Sequence, residues 1–288
     1  MRYHKPTTFA DAATIAAGTE GITRFLAGGT DVLVQMRSGR VQPDDMIDIK
    51  GIPGVLDASK RGDVGWTIRA AVPGIELGRN ADLCVDWPGV AEGMELVGST
   101  QVQGRASLAG NLCNGSPAAD GVPGLMAAGA TVTVVGPDGE REIAVEDVPA
   151  GPFATNLAKG EVVASINLPP RGENGGDAYL RFIPRTEMDI AVVGAAVNLR
   201  LDGDTITEAR VSLGAVAPTV LLVEDAAKAI IGTTLDDDAL AALDAAAQAA
   251  CNPIDDKRGT IAFRTEVAGV LARRAAKIAY DRAKGAGK

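Results

Sequence analysis

The sequence FLAGGTD (residues 25–31) joins an apolar, strand-like run at 22–27 to a helix-like run at 30–37 through two consecutive glycines. Glycine turns before helices often hold phosphate, because glycine lets a ligand approach the backbone closely and the start of a helix exposes unpaired N–H groups. This turn has neither the G-x-G-x-x-G of dinucleotide-binding folds nor the G-K-[ST] of a P-loop. It predicts either an anion-binding nest of another kind or an ordinary strand–helix turn.

A second segment, SLAGNLCNGSPAAD (residues 107–120), is also rich in glycines and small polar side chains. Ser116 and Pro117 fit the N-cap and the first position of a helix. Asn111 and Asn114 can both donate and accept hydrogen bonds, and Asp120 can accept one from a sugar hydroxyl. A polar surface loop is the alternative for this segment alone. Taken together, the two turns predict a clamp on a pyrophosphate, whose two charged groups would lie between amide-lined loops.

The charge balance restricts what the chain binds. Its 288 residues include 28 basic and 37 acidic side chains, for a net charge of −9. This balance lacks the electrostatic footprint of a nucleic-acid-binding or membrane-surface protein, so backbone amides and a few placed cations must hold any anionic ligand. No apolar run approaches the roughly 20 residues of a membrane span. The apolar content of 46% is enough for a sizeable core.

Cysteine and histidine are scarce. Cys84, Cys113 and Cys251 lie far apart without a C-x-x-C motif, and His4 is the one histidine, which we expect to be solvated in a frayed terminus. The first residues lack the apolar core of a signal peptide. We therefore expect a cytoplasmic chain without disulfides and without a metal site, in which Cys113 is a buried, inert thiol.

Hydrophobic periodicity predicts an α+β chain in two domains. The predicted helices cover 9–17, 30–37, 76–85, 89–97, 121–128, 235–250 and 265–284, and the predicted strands cover 22–27, 46–49, 64–71, 130–135, 162–168, 190–201 and 205–216. The D-G-D at 202–204 predicts a hairpin, and Thr234 is the predicted cap of the helix after it. The proline- and glycine-rich segment 169–177 predicts a boundary between a domain over 1–175 and a domain over 176–288.

Five motifs occur in a fixed order along nearly the whole chain: A-G-G-T-D-x-L from residue 27, S-L-A-G-N-x-x-x-x-S-P-A-A-D at 107–120, R-x-x-M-D-I-A at 185–191, A-R-V-S-L-G-A-V-A-P at 209–218 and P-I-D-D-K-R-G-T-I-A-F-R at 253–264. Together they resemble the FAD-binding medium subunit of the molybdenum hydroxylases, the xanthine dehydrogenase and carbon monoxide dehydrogenase family. The resemblance implies a PCMH (vanillyl-alcohol-oxidase)-type FAD-binding domain in two lobes. A C-terminal domain of the CO dehydrogenase flavoprotein type would follow, with a three-stranded antiparallel sheet and helices.

The resemblance also implies a set of FAD contacts, with no catalytic or metal-binding residue among them. Backbone amides of the first turn would wrap the FAD diphosphate, and the second turn would contact phosphate and the ribityl chain. Asp120 would bond a sugar hydroxyl, and Val163 would lie near the adenine or flavin edge. Arg181 occupies a family position near the flavin that is usually Lys, and Ile190 occupies the position over the exposed flavin face, where some relatives carry Tyr. The full set is Ala27, Gly28, Gly29, Thr30, Asp31, Ser107, Gly110, Asn111, Asn114, Asp120, Val163, Arg181 and Ile190.

The sequence departs from the family pattern at two positions near the predicted site. Ala109 stands where many relatives have Gly, so its methyl group narrows the approach to phosphate, and Pro73 stands where many have Thr. One branch of the family, which reduces hydroxybenzoyl-CoA, carries an inserted iron–sulfur loop. Such a cluster needs about four cysteine ligands, and three scattered cysteines do not provide them.

The implied function is electron transfer in a larger enzyme. Substrate would be oxidised at a molybdenum cofactor in a large subunit, and electrons would pass through a small subunit with two [2Fe–2S] clusters into FAD, then to an external acceptor such as a quinone or NAD. We expect a dimer of heterotrimers. One alternative is a stand-alone flavin oxidoreductase of the same FAD fold, of the UDP-N-acetylenolpyruvylglucosamine reductase type. The other is a nucleotide-binding module without a redox role. The sequence leaves substrate and acceptor open.

Overall fold

The structure is a computed structural model that describes residues 1–60 and 64–285. Its first sheet is parallel and has the strand order β1-β3-β2, formed by β1 (Arg2–His4), β2 (Thr23–Leu26) and β3 (Asp45–Asp48). Parallel strands need crossover connections. Helix α1 (Phe9–Gly18) provides the crossover from β1 to β2, and helix α2 (Val32–Arg37) provides the one from β2 to β3. The predicted strand–glycine turn–helix unit at 22–37 is therefore confirmed.

His4 belongs to the first sheet, and the prediction that it is solvated in a frayed terminus is wrong. Its Nε2 lies 2.6 Å from Asp45 Oδ1. The Arg2 guanidinium donates to both oxygens of the same carboxylate, at 2.8 and 2.7 Å. The Asp45 side chain is buried, and Arg2 followed by His4 holds the pKa of that carboxyl well below its usual range. The single side chain of Asp45, 43 residues from Arg2 and 41 from His4 in sequence, therefore anchors the first strand.

The second sheet is antiparallel throughout, with the strand order β4-β5-β10-β6-β7. Its strands are β4 (Ala58–Lys60), β5 (Trp66–Arg69), β6 (Thr131–Gly136), β7 (Gly139–Ala144) and β10 (Val162–Leu168). The alternation predicted at 130–135 is present in β6, where Val132 and Val134 are fully buried on one face. A small hairpin of β8 (Pro149–Gly151) and β9 (Ala154–Thr155) stands apart from this sheet.

Short helices connect β5 to β6. They are α3 (Gly74–Gly78), α4 (Ala81–Asp86), α5 (Pro88–Glu95), α6 (Thr100–Gln103), α7 (Leu108–Cys113) and α8 (Gly121–Ala128). The single helix predicted at 76–85 is two helices, because Asn80 caps the second one by accepting from the Leu83 N–H at 3.1 Å. Ser116 does not cap a helix, since its Oγ accepts from the Ala118 N–H in a local turn, and α8 starts five residues later.

The third sheet is antiparallel and has the order β11-β12-β13-β14. Three long strands form it, as the resemblance implies, and a two-residue strand extends it: β11 (Gly175–Phe182), β12 (Val193–Asp202), β13 (Thr205–Gly214) and β14 (Leu221–Leu222). The predicted hairpin at 202–204 joins β12 to β13. Helices α9 (Glu224–Lys228), α10 (Asp237–Ala249) and α11 (Ile261–Ala283) accompany this sheet. No helix within 1–60 and 64–285 is long and apolar enough to cross a bilayer.

Two helix starts in this region differ from the prediction. Asp236, not Thr234, caps α10, with its Oδ1 accepting from the Ala239 N–H at 2.9 Å. Helix α11 starts four residues earlier than predicted, because the Thr260 hydroxyl accepts from the Phe263 N–H at 3.2 Å. In both cases several adjacent residues suit an N-cap, and the periodicity of the sequence does not select among them.

The buried apolar side chains form two large clusters. One contains side chains from residue 12 to residue 168 together with Val220, and packs the helices against the second sheet. The other runs from Ala178 to Ala283 and packs α10 and α11 against the third sheet. The proposed domain boundary at 175/176 falls between the two clusters along the chain, apart from Val220.

A buried ionic group joins the two clusters at Asp177. Its Oδ2 accepts from the Gly89 N–H at 2.9 Å, and its Oδ1 lies 3.2 Å from Arg171 Nη2. The Arg171 guanidinium also lies over the Trp87 ring, 4.3 Å from its centroid. Burial raises the pKa of Asp177 to about 6, although the positive charge of Arg171 acts in the opposite direction. The folded chain therefore binds a proton at this carboxyl to higher pH than the unfolded chain does.

We predict that Asp177→Asn changes the pH dependence of stability. Because the pKa is raised in the folded state, the contribution of Asp177 is fully present below about pH 4 and is lost as the pH rises through about 6. The asparagine keeps an acceptor for the Gly89 N–H and cannot titrate. The free energy of unfolding of the natural chain should therefore fall relative to that of the variant by roughly 2 to 3 kcal/mol between pH 4 and pH 7, at 1.36 kcal/mol per pKa unit. Urea unfolding of both chains at several pH values measures this difference, and a difference that does not vary with pH would contradict the assignment.

Candidate functional site

A cleft of about 770 Å³ is lined by residues of both the first and the second sheet. This volume lies within the range of cofactor pockets. The two glycine turns that the sequence singles out both face it, although about 80 residues separate them in the chain. Strand β2 leads into the first turn, and α7 forms most of the second.

The first turn presents unpaired backbone donors to the cleft. In the part of the chain that the structure describes, the N–H groups of Gly28, Gly29, Thr30 and Asp31 donate to no protein acceptor. Gly29 has φ +81°, a left-handed conformation that side chains with a Cβ rarely adopt. Four successive free amides in a concave turn form the type of nest that binds an anion.

Gly28 brings the two turns together. A Cβ built on Gly28 would lie 1.9 Å from the carbonyl oxygen of Arg105, which no adjustment of a side chain can relieve. Glycine is required here because the first turn touches the backbone that leads into the second turn. The sequence suggests that both glycines make room for a ligand, and the structure shows that Gly28 makes room for the neighbouring loop.

The second turn is a capped helix where the sequence predicts a loop. Ser107 caps α7, with its Oγ accepting from the Gly110 N–H at 3.1 Å. Asn111 Oδ1 accepts from the Gly121 N–H at 3.0 Å, and Asn114 Oδ1 accepts from Gln35 Nε2 at 2.9 Å. With both carbonyl groups engaged, the side-chain NH₂ groups of Asn111 and Asn114 have no protein acceptor among residues 1–60 and 64–285. They are therefore available as donors to a bound phosphate or hydroxyl.

Most of the predicted FAD contacts are gathered in the cleft. Ten of the thirteen line it: Ala27, Gly28, Gly29, Thr30, Asp31, Ser107, Gly110, Asn111, Asn114 and Val163. Asp120, Arg181 and Ile190 are outside its lining. Their roles as FAD contacts, like those of the other ten, stay predictions.

Asp120 and Arg181 belong to a buried polar network behind the second turn. Asp120 accepts from the Tyr179 hydroxyl at 2.7 Å and from Arg181 Nη1 at 2.8 Å, and the same Arg181 nitrogen donates to the Leu96 carbonyl at 2.7 Å. Burial raises the pKa of Asp120, and the Arg181 charge partly offsets this effect. Burial, followed by the nearby Asp120 charge, also raises the pKa of Tyr179 far above its usual value. The network ties the start of α8 to β11.

Ile190 lies on the surface in the segment between β11 and β12 and is 53% exposed to solvent. Its N–H donates to Asp189 Oδ1 at 2.8 Å. Asp189 also accepts from Arg185 Nε at 3.0 Å and from Arg258 Nε at 2.9 Å. An ion-pair group therefore fixes the backbone at Ile190, while its side chain remains accessible.

The cleft also contains residues that the sequence does not single out. Gln35, Arg40, Val97 and Phe153 line it, and they come from separate segments without a shared motif. Phe25, the first residue of the FLAGGTD stretch, also lines the cleft. It lies in the apolar run at 22–27, and such a run suits a strand in the core equally well. No local signal therefore shows that the Phe25 side chain faces the cleft.

Ala109 and Cys113, which are not among the predicted FAD contacts, also line the cleft. Ala109 is buried, so its methyl group packs into the protein. Cys113 is exposed, contrary to the prediction of a buried thiol. Desolvation nevertheless raises the pKa of that thiol to about 12, so it is neutral near pH 7 and is not a reactive thiolate.

The chemistry of the cleft fits FAD. The free amides of the first turn and the NH₂ groups of Asn111 and Asn114 suit a diphosphate, and Phe25, Val97 and Val163 offer apolar surface to flat rings. Desolvation raises the pKa of Asp31 beside the nest, which lowers the cost of placing this acid near an anion. Gly28 and Gly29 shape the cradle, and a Cβ at either position would disturb it.

Comparison with known proteins gives the same assignment over the whole chain. Residues 1–171 match the family described as the FAD binding domain in molybdopterin dehydrogenase, and residues 178–279 match the CO dehydrogenase flavoprotein C-terminal domain. The carbon monoxide dehydrogenase medium chain of Afipia carboxidovorans is 33% identical, with 98% of this chain and 97% of that protein covered. The xanthine dehydrogenase FAD-binding subunit of Escherichia coli O157:H7 is 28% identical, with 75% and 74% covered.

A solved structure supports the fold at similar coverage. The reconstituted CO dehydrogenase from Oligotropha carboxidovorans contains a chain that superimposes with a TM-score of 0.93 at 31% identity, covering 98% of each chain. The match includes both the FAD-binding part and the part after residue 178. The chain therefore belongs to the family of FAD-binding medium subunits of the molybdenum hydroxylases, which are oxidoreductases, and its cofactor is FAD.

Proposed function

We propose that this chain is the electron-relay subunit of a cytoplasmic molybdenum hydroxylase. A large partner subunit oxidises the substrate at its molybdenum cofactor, and a small subunit with two [2Fe–2S] clusters carries the electrons to this chain. FAD supplies the redox centre that receives them and makes them available to an external acceptor, a quinone, NAD or another carrier. The assembly is a dimer of heterotrimers.

One observation carries the proposal: the two glycine turns form a single amide-lined cleft in a chain that resembles a medium chain from end to end. A medium chain is one chain of a larger enzyme, and the similarity covers 98% of this chain and 97% of the Afipia carboxidovorans medium chain. In such an enzyme this subunit needs to bind, orient and shield its cofactor.

The residues of the chain divide this task. The amides of residues 28–31 hold the diphosphate, and Asn111 and Asn114 donate to phosphate or to the ribityl chain. Val97 and Val163 shield the ring systems of FAD from water. Arg181 contributes a fixed positive charge whose position is set by Asp120 and the Leu96 carbonyl.

An external electron acceptor would reach the flavin at the ring face that Ile190 is predicted to cover. Ile190 presents an aliphatic side chain where some relatives carry a tyrosine, and it is half-exposed. An isoleucine covers less of a flat ring than a tyrosine does, so this surface suits electron transfer to an external molecule. The identity of the acceptor follows from its own contacts and is a matter for experiment.

Two other functions remain as alternatives. A stand-alone flavin oxidoreductase of the same FAD fold would oxidise or reduce a substrate bound to its own C-terminal domain. A non-redox nucleotide-binding module would bind the ADP half of the cofactor without using the flavin. The end-to-end similarity to medium chains favours the relay over both.

We predict that Gly29→Val yields a folded chain with less than about one tenth of the natural FAD content. A Cβ at this position would lie 2.9 Å from Leu26 Cδ1, and the left-handed φ of +81° is unfavourable for a β-branched residue. The turn would therefore change shape and lose its nest. Flavin absorbance per chain measures FAD content, and circular dichroism verifies folding.

Gly203→Val is the matched control for the effect of backbone strain. Gly203 has φ +58° in the hairpin between β12 and β13, outside the cleft, and a Cβ there meets nothing within 4 Å. This variant should lose about 1 kcal/mol of stability and retain full FAD content. If the Gly29→Val chain folds and still binds one FAD per molecule, the first turn is not part of the FAD site.

The relay itself is tested by assembly. We predict that the chain, expressed together with its molybdenum and iron–sulfur partner subunits, copurifies with both in equal amounts. Alone, it should show a flavin spectrum that bleaches with dithionite and should oxidise no organic substrate of the complex. Turnover of an organic substrate by the isolated chain would establish the stand-alone enzyme, and a chain that binds nucleotide without a reducible flavin would establish the non-redox module.

A further inference from the structure

At the mouth of the cleft, an arginine and a phenylalanine from distant parts of the sequence are stacked. The Arg40 guanidinium carbon lies 3.8 Å from the centroid of the Phe153 ring, within cation–π distance. Both residues line the cleft and both are exposed to solvent, with Phe153 47% exposed. The stack therefore lies where the cleft meets water, and it connects the segment after α2 to the β8–β9 hairpin.

The backbone of each partner is fixed. Phe153 has φ +61°, which is unusual for an aromatic residue, and its N–H donates to the Gly115 carbonyl at 2.8 Å. The end of α2 holds Arg40, whose N–H donates to the Gln35 carbonyl at 2.9 Å, while the Gly39 N–H donates to the Met36 carbonyl at 3.1 Å. The two side chains are therefore presented to each other by rigid turns.

Phe153 has an unfavourable backbone conformation, and its half-exposed side chain gives little hydrophobic stabilisation in return. A left-handed backbone is energetically unfavourable at a residue with a Cβ. About half of this residue faces water, so core packing does not account for its place. Strained conformations of this kind concentrate at ligand clamps and switch regions. Within residues 1–60 and 64–285 Arg40 makes no ion pair, so the ring is its principal contact.

A second contact crosses the cleft beside the stack. Gln35 Nε2 on α2 donates to Asn114 Oδ1 in the second turn at 2.9 Å. Asn114 is adjacent to Gly115, which accepts the Phe153 N–H. The segment from Gln35 to Arg40 thus contacts both the second turn and the hairpin.

We propose that Arg40 and Phe153 form a clasp that controls how fast FAD enters and leaves the cleft. The inference rests on FAD binding in this cleft. The two side chains contact each other across the mouth, so opening requires that the stack break while the first turn keeps its hold on the diphosphate. Because the clasp is a contact within the protein, it slows uptake and release by a similar factor and changes the affinity little.

The test is a double-mutant cycle on the kinetics of FAD exchange, using Arg40→Ala, Phe153→Gly and the double variant. Glycine at position 153 tolerates the left-handed φ, so the hairpin keeps its shape when the ring is removed. Uptake is measured by quenching of flavin fluorescence when the isolated apo chain is mixed with FAD. Release is measured by transfer of FAD to an excess of an unrelated apo-flavoprotein.

Each single variant should raise both rate constants roughly two- to fivefold, the range that a solvent-exposed cation–π contact supports. The double variant should match the single ones, and the Kd should change less than about twofold. Arg37→Ala is the control, because Arg37 is exposed at the end of α2, three residues before Arg40, and its side chain makes no hydrogen bond or ion pair in the described part of the chain. Its rates should equal those of the natural chain.

Other outcomes separate the possible failures. A faster release with unchanged uptake would show that the two residues contact FAD directly and would overturn the clasp. Additive effects of the two variants, or unchanged rates, would also overturn it. If the natural chain binds no FAD, the cofactor site itself is wrong, whereas a natural chain that binds FAD with clasp variants of natural kinetics refutes only the clasp.

Discussion

The close approach of the Gly28 backbone to the Arg105 carbonyl holds the two halves of the proposed cofactor site together. The missing Cβ lets the turn after β2 touch the segment that leads into α7, and any side chain would meet a backbone oxygen at 1.9 Å. From this contact follow the position of the free amides at 28–31 on one wall and of Asn111 and Asn114 on the other. An acidic chain with a net charge of −9 can hold a diphosphate there because the donors are neutral amides, fixed before the ligand arrives.

Local signals in the sequence predict the strand–turn–helix unit and the two glycine turns, and the family resemblance implies the set of contacts of which ten line the cleft. Periodicity marks β6, β10 and β13, and glycine marks the turns. Where the prediction fails, several local solutions compete, as for the helix split at Asn80 and the caps at Asp236 and Thr260. No pattern within a few residues distinguishes these alternatives, and tertiary packing selects one.

Contacts between distant segments account for what the sequence cannot show. His4 is bound by an aspartate 41 residues away, Asp120 is engaged by Tyr179 and Arg181, and Arg40 meets Phe153 across the cleft. The family resemblance implies that residues such as Asp120 contact FAD, but it does not show the hydrogen-bond network in which they lie. The role of Gly28 is the clearest case, since the sequence shows a glycine and only the fold shows which atom requires it.

We propose that two amide-lined turns bind FAD through its diphosphate. Equilibrium titration of the apo chain with FAD, ADP and riboflavin tests it most directly, since only the first two carry the diphosphate. The account predicts that FAD binds tightly, that ADP competes for the same site, and that riboflavin binds at least about 100-fold more weakly than FAD, a difference of roughly 2.7 kcal/mol. Riboflavin that binds as tightly as FAD, with no competition from ADP, would contradict it.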